Sequence, residues 1–192
     1  MTAPLEVKRV DRGLIERAQD GDRDAYEQLA QASARRLYAI AYRIVRDRDR
    51  ADDAVQQALI AIWRDIRGLR DPDRFDAWTY RLVVRACLAE TRRPRRLRVT
   101  LEPLAEDVAA AHDETAHVAD RDELERAFHS LSPDHRAVLV LRHYGGLSVG
   151  EIAAIMDVPT GTVGSRIHHA TSAMRASIEA GRRLPALRGQ EA

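Results

Sequence analysis

The chain has 192 residues, 45% of them apolar and 32% charged, and 31 basic against 30 acidic side chains leave a formal net charge of +1. That length allows one large or two small domains with a real core, the apolar fraction excludes disorder, and the near-neutral balance predicts neither bulk DNA binding nor bulk membrane binding, so any basic patch must be local. A single cysteine, Cys87, cannot make an internal disulfide and is expected to be a small apolar core residue; no apolar run approaches the roughly 20 residues of a membrane span and no signal peptide opens the chain, so the expected compartment is the cytoplasm.

Helical periodicity recurs along the chain and no stretch alternates as a strand would, so the expected fold class is all-α. "DRGLIERAQD" offers Asp11 as an N-cap and Leu14, Ile15 and Ala18 as a short apolar face. A longer helix from Asp22 or Asp24 places Tyr26, Leu29, Leu37, Ile40, Ala41, Ile44 and Val45 on one stripe and breaks at "RDRDR". A third, from near Asp49, buries Val55, Leu59, Ile62 and Ile66 with Trp63 beside them and ends near Gly68. Pro72 and Asp73 start a fourth, which carries Phe75, Trp78, Leu82, Val83 and Ala86 into "ETRRPRRLR".

Past Pro94 the period is lost, and "EPLAEDVAAAHDETA" reads as an acidic, flexible linker. Stretched, a linker over 95–117 reaches roughly 75–80 Å, so nothing in it fixes the distance between its ends. The expected organisation is a helical domain over 1–94, the linker over 95–117, a second helical domain over 118–184 and a tail over 185–192. Residues 1–94, 95–117 and 118–192 carry net charges of +3, −2 and 0.

The second domain opens with Leu124, Ala127 and Phe128 on one helix. Ser132 then caps a helix that has Pro133 at its first position, Val138, Leu139 and Leu141 as core, and Gly145 or Gly146 at its end. Ser148 and Glu151 are spaced as a capping box ahead of Ile152, Ala153 and Ile155. After Pro159 a last helix repeats Val163, Ile167, Ala170, Met174 and Ile178, with a polar opposite face. Two short helices joined by a tight turn have the form of a helix-turn-helix, in which Thr160, Thr162, Ser165, Arg166 and His169 would face the groove. Periodicity alone equally describes a solvated bundle helix. The residue types favour the first reading, because Gly161 permits close backbone approach and short hydroxyl donors suit phosphate or base edges.

"LSPDHRAVLVLRHYGGLSVGEIAAIMDVPTGTVGSRIHHATSAMR" resembles the promoter-reading C-terminal region of bacterial sigma factors, above all the extracytoplasmic-function group, in which a phrase of the type EIA…GTVKSRLHRAR is usual. "RDAYEQLAQASARRLYAIAYRIVRDRDRADDAVQQALIAIWRD" is similar to region 2 of the same proteins. The resemblance implies that Asp52, Asp53 and Gln56 dock on core RNA polymerase. It implies that Arg74, Trp78, Arg81, Arg85, Arg92 and Arg93 serve the −10 element of promoter DNA, and that the helix-turn-helix serves the −35 element. Trp78 also lies on the apolar stripe, so both a stacking and a core role are open to it. The resemblance further brings an anti-sigma factor into consideration as a partner, and a linker path toward the RNA exit.

Several positions depart from the family pattern. Gly164 stands where Lys or Arg is usual, His169 and Thr171 where Arg is frequent, and Arg85 and Ala89 where Asn and Asp are common. Each missing phosphate contact removes about 0.9 from the salt slope of binding, so the isolated C-terminal domain is expected to bind DNA feebly and to depend on polymerase. The alternative is a helix-turn-helix regulator that acts without polymerase. Catalysis, a metal and a cofactor are not expected, since the histidines lack ligand spacing and no Gly-rich phosphate loop is present.

Overall fold

The computed structural model describes residues 10–93 and 115–188, and the side chains of 10–93 and 120–181. Among these residues it contains eight α-helices and no strand: α1 (Arg12–Gln19), α2 (Arg23–Val45), α3 (Arg48–Asp65), α4 (Phe75–Arg92), α5 (Thr115–His129), α6 (Pro133–Leu139), α7 (Val149–Met156) and α8 (Thr160–Arg188). Most of the expected linker lies outside the described residues, although its last three positions, 115–117, already belong to α5. The last helix runs to Arg188, into the expected tail.

Caps set the helix starts. Asp11 accepts from the Gly13 N–H at 3.2 Å, Asp22 from Ala25 at 3.0 Å and Asp47 from Arg50 at 3.1 Å, so three of the first helices begin on an aspartate that satisfies an otherwise orphaned donor. The third helix therefore starts at Arg48 behind Asp47, and it narrows to a 3-10 turn over Ile66–Gly68. Gln19 ties that turn to α1 by donating to the Ile66 and Leu69 carbonyls at 3.1 and 2.6 Å. Ser148 and Glu151 form the expected capping box of α7.

In the N-terminal half, α2, α3 and α4 pack on one another around Leu29, Leu37, Ile40, Ile44, Ile62, Phe75, Val83 and Cys87, all essentially buried, with α1 laid across α2. Burial pushes the Cys87 thiol up to about 12, which makes it the inert core residue the composition suggested. Arg36 on α2 pairs with Asp76 on α4 and lies over the Tyr80 ring. In the C-terminal half α8 packs against α5, α6 and α7. The α6 helix continues into a wider π turn over Val140–Tyr144, which ends at Gly145 and Gly146. Gly145 is required there, because a Cβ would stand 2.8 Å from the Leu141 carbonyl oxygen.

Two expectations about burial need correction. Trp63 is 43% exposed: Ile62 takes the core position, and the indole, a further 100° round the helix, lies edge-on to the Tyr26 ring with centroids 4.6 Å apart. Leu124 is also largely exposed, one turn short of Ala127, where α5 enters the core. The two halves also touch. Buried residues of both form one connected cluster, with α6, the π turn and α7 resting on α2 and α4.

Candidate nucleic-acid interface

Helix α3 presents Asp52, Asp53 and Gln56 to solvent. Spacings of three, seven and ten residues continue the Asp53 line through Gln56, Ile60 and Trp63, and the last two are 58% and 43% exposed. Sequence reasoning missed both. Their signal was phase: Ala51, Ala54, Val55, Ala58 and Ile62 are the buried set of α3, and positions 60 and 63 fall outside it. The face is thus a mixed acidic, amide and apolar strip, a composition suited to a protein partner more than to a polyanion. The Asp52 charge is felt locally, since the Tyr38 hydroxyl is pushed above its usual range first by burial and then by Asp52.

The candidate residues on α4 do not form one uniform face. Arg74 precedes the helix, is highly exposed and lies 3.6 Å from Asp71. Trp78 is half-buried and tilted against Phe75 at 6.1 Å, which favours its core role. Arg81 is half-buried, with a shielded Nε that has no hydrogen-bond partner. Arg92 is exposed. Arg93 instead donates to Glu90 at 2.6 Å, and Glu90, only 4% exposed, also receives Gln57 Nε2 at 2.6 Å. Arg93 therefore closes a polar joint between α3 and α4, a role its sequence context did not announce. Arg85 is exposed on its solvent side and approaches Asp157 at 3.5 Å.

The helix-turn-helix is formed by α7 and α8. Its turn begins at Asp157 in left-handed backbone, φ 59°. On α8, Thr160, Ser165 and His169 are exposed and Thr162 is half-buried, with its carbonyl accepting from the Ser165 hydroxyl at 3.0 Å. Arg166 does not join them. Its Nη1 lies 3.0 Å from Asp134 Oδ1 on α6, so the one fixed cation of the predicted set is turned inward. The outermost stripe runs through Gly161, Gly164, Ser165, His168, Ser172 and Arg175, all exposed. His168 and Arg175 were absent from the sequence-based set, because the stripe's phase is fixed only by the burial of Val163 and Ala170. A Cβ at Gly161 or Gly164 would meet nothing within 4 Å. No group of histidine, cysteine and acidic side chains among the described residues could hold a metal, and no described helix is long and apolar enough to cross a membrane.

Comparison with known proteins places these helices in context. Residues 29–97 match the family described as sigma-70 region 2, and residues 121–174 match sigma-70 region 4. The chain is 32% identical to the RNA polymerase sigma-H factor of Pseudomonas aeruginosa over 88% of its own length and 94% of that protein. It is 34% identical to the ECF RNA polymerase sigma-E factor of Haemophilus influenzae over 88% of its length and 95% of the relative, and 33% identical to that of Escherichia coli K12 over 91% and 97%. Among solved structures it shares its fold with CnrH in complex with the cytosolic domain of CnrY, with a TM-score of 0.62, 24% identity, and coverage of 88% of this chain and 97% of that one. The sigma factor RpoE of Bartonella quintana, solved with the anti-sigma factor NepR, gives a TM-score of 0.63 at 23% identity over 80% and 96%.

Proposed function

Because the chain belongs to the extracytoplasmic-function family of RNA polymerase sigma factors, we propose a residue-level reading of how it binds core polymerase and directs promoter-specific transcription initiation. The observation that carries the function is the order of the two family regions on one chain that spans nearly the full length of the Pseudomonas and Haemophilus relatives. The proposed division assigns 1–94 to polymerase and the −10 element and 118–184 to the −35 element, the latter extended to 115–188 by the span of α5 and α8.

On this reading the strip of α3 with Asp52, Asp53 and Gln56 docks on polymerase, and Ile60 and Trp63 extend it. An exposed aromatic beside acidic and amide groups supplies the apolar anchor that a protein interface needs. Arg74, Arg81, Arg85 and Arg92 serve the −10 strand through its phosphates, with Trp78 and Arg93 holding the helix in place. Thr160, Ser165 and His169 with His168 and Arg175 form the −35 face, and Arg166 joins it once released from Asp134. The weak charge of this face makes its DNA binding depend on polymerase, which also sets the distance between the two contacts because the linker fixes none. Work at polymerase and promoter places the protein in the cytoplasm, and an anti-sigma factor is a natural partner, as it is for the Bartonella protein.

The test is reconstitution. The purified chain added to core polymerase should start transcription at a defined promoter, and reversal of both Asp52→Lys and Asp53→Lys should weaken core binding in competition with the parent while helicity stays unchanged. Equal affinity would remove these residues from the interface.

A further inference from the structure

A cavity between the α1–α2 turn and the end of α3 takes no part in the DNA faces of α4 and α8. Its volume is about 400 Å³, within the range of small-ligand sites. Buried Ala18 and Ile66 give it an apolar base, and Arg23, Arg64 and Arg67 line it together with the partly exposed indole of Trp63. No carboxylate lines it.

The nearest acidic neighbours in sequence are already engaged. Arg17 Nη2 lies 2.6 Å from Asp22, and Arg64 donates to both oxygens of Asp65 at 2.8 Å through Nε and Nη2. Arg23 and Arg67, both exposed, have no ion-pair partner among the described residues. Arg67 is nevertheless held in place. Its Nη2 lies 2.7 Å from the point where a Cβ would stand on Gly21, whose φ of 97° favours glycine, so the guanidinium rests against the turn itself. Two guanidinium groups without a paired carboxylate thus stand over the cavity, beside the start of α2, where the helix dipole also favours an anion.

We propose that this cavity binds a nucleoside polyphosphate, with phosphate oxygens on Arg23 and Arg67 and the base against the Trp63 indole. The planar fork of arginine pairs with phosphate oxygens two at a time, so two unpaired forks suit a chain of phosphates. Arg64 retains Nη1 for a further oxygen. Trp63 separates a nucleotide from a bare anion, because an indole offers a stacking surface that any base can use and that inorganic polyphosphate cannot. Trp63 also belongs to the strip of α3 assigned to polymerase, but the cavity does not rest on that assignment, since the chain alone should bind.

The test is titration calorimetry on the full chain at low salt, without divalent cations, with ATP and tripolyphosphate as probes. Each should bind at one site per chain. The double variant Arg23→Ala, Arg67→Ala should weaken both by about tenfold or more, as expected when charge-assisted hydrogen bonds are lost. Trp63→Ala should weaken ATP by about fivefold or more and leave tripolyphosphate unchanged, and Trp63→Phe should restore most of the ATP affinity. All three side chains are exposed, so circular dichroism and the urea midpoint should match the parent in each variant. Absence of ATP binding, or binding that the arginine variant leaves unchanged, overturns the site. If Trp63→Ala weakens both probes equally or neither, the cavity takes no base and the nucleotide assignment fails.

Discussion

Arg92 and Arg93 are adjacent in sequence and chemically identical, yet their surroundings assign them opposite work. Both are exposed at the end of α4, but Arg93 also reaches back to the buried Glu90 carboxylate that Gln57 holds from α3. Gln57 still reaches Glu90 when Arg93 is removed, and the Arg93 side chain is itself 62% exposed, so Arg93→Ala should lower stability by about 1 kcal/mol, seen as a lower urea midpoint at unchanged slope. Arg92→Ala should stay within about 0.5 kcal/mol of the parent and instead flatten the salt dependence of promoter opening. Equal destabilisation by the two substitutions would show that the joint does not depend on Arg93.

At the scale of the element, α8 shows a reader's scaffold with most of its charge taken away. Gly164 is exposed in the helix interior and a Cβ there meets open space, so Gly164→Lys should add roughly 0.5–1 kcal/mol of stability and place a cation on the outer stripe. The isolated C-terminal domain would then melt higher, and its log K against log salt line for −35 duplex should steepen by about 0.9 with base preference unchanged. A parallel line with a higher melting temperature would mean that residue 164 does not face DNA. The helices themselves were legible in sequence because caps and apolar period agree, as at Asp22 with Leu29, Leu37, Ile40 and Ile44. What was not legible is what depends on a distant partner. Arg166 looks like a free cation until Asp134 is brought to 3.0 Å, and Trp63 looks like core until the direction of α3 is fixed by its neighbours.

The whole molecule adds a pH dependence to the contact between the halves. His129 on α5 has its pKa pushed below its ordinary 6.5 by burial first, then by Arg46 and Arg136, with Glu125 opposing. A histidine whose pKa is lower when folded binds more protons when unfolded, so its contribution is complete above about 6.5 and is lost as pH falls below that value. The full chain should therefore show a urea midpoint that drops between about pH 7.5 and 5.5, and His129→Gln should reduce that drop. A drop of equal size in the variant would place the titration at another group. The expected size is small, because the imidazole is partly open to water and solvent screens its neighbours.

The burial of Cys87 makes the molecule a convenient host for spectroscopic reporters. Its side chain is fully enclosed and holds its proton to about 12, so maleimides and nitroxide reagents should leave the native chain unmodified and react only when it unfolds. A cysteine introduced on the surface would then be the sole reactive thiol. Pairs of dyes or spin labels can be placed on α3 and α8 without replacing any residue of the core, and the distance between the halves can be followed as polymerase, DNA or salt is added.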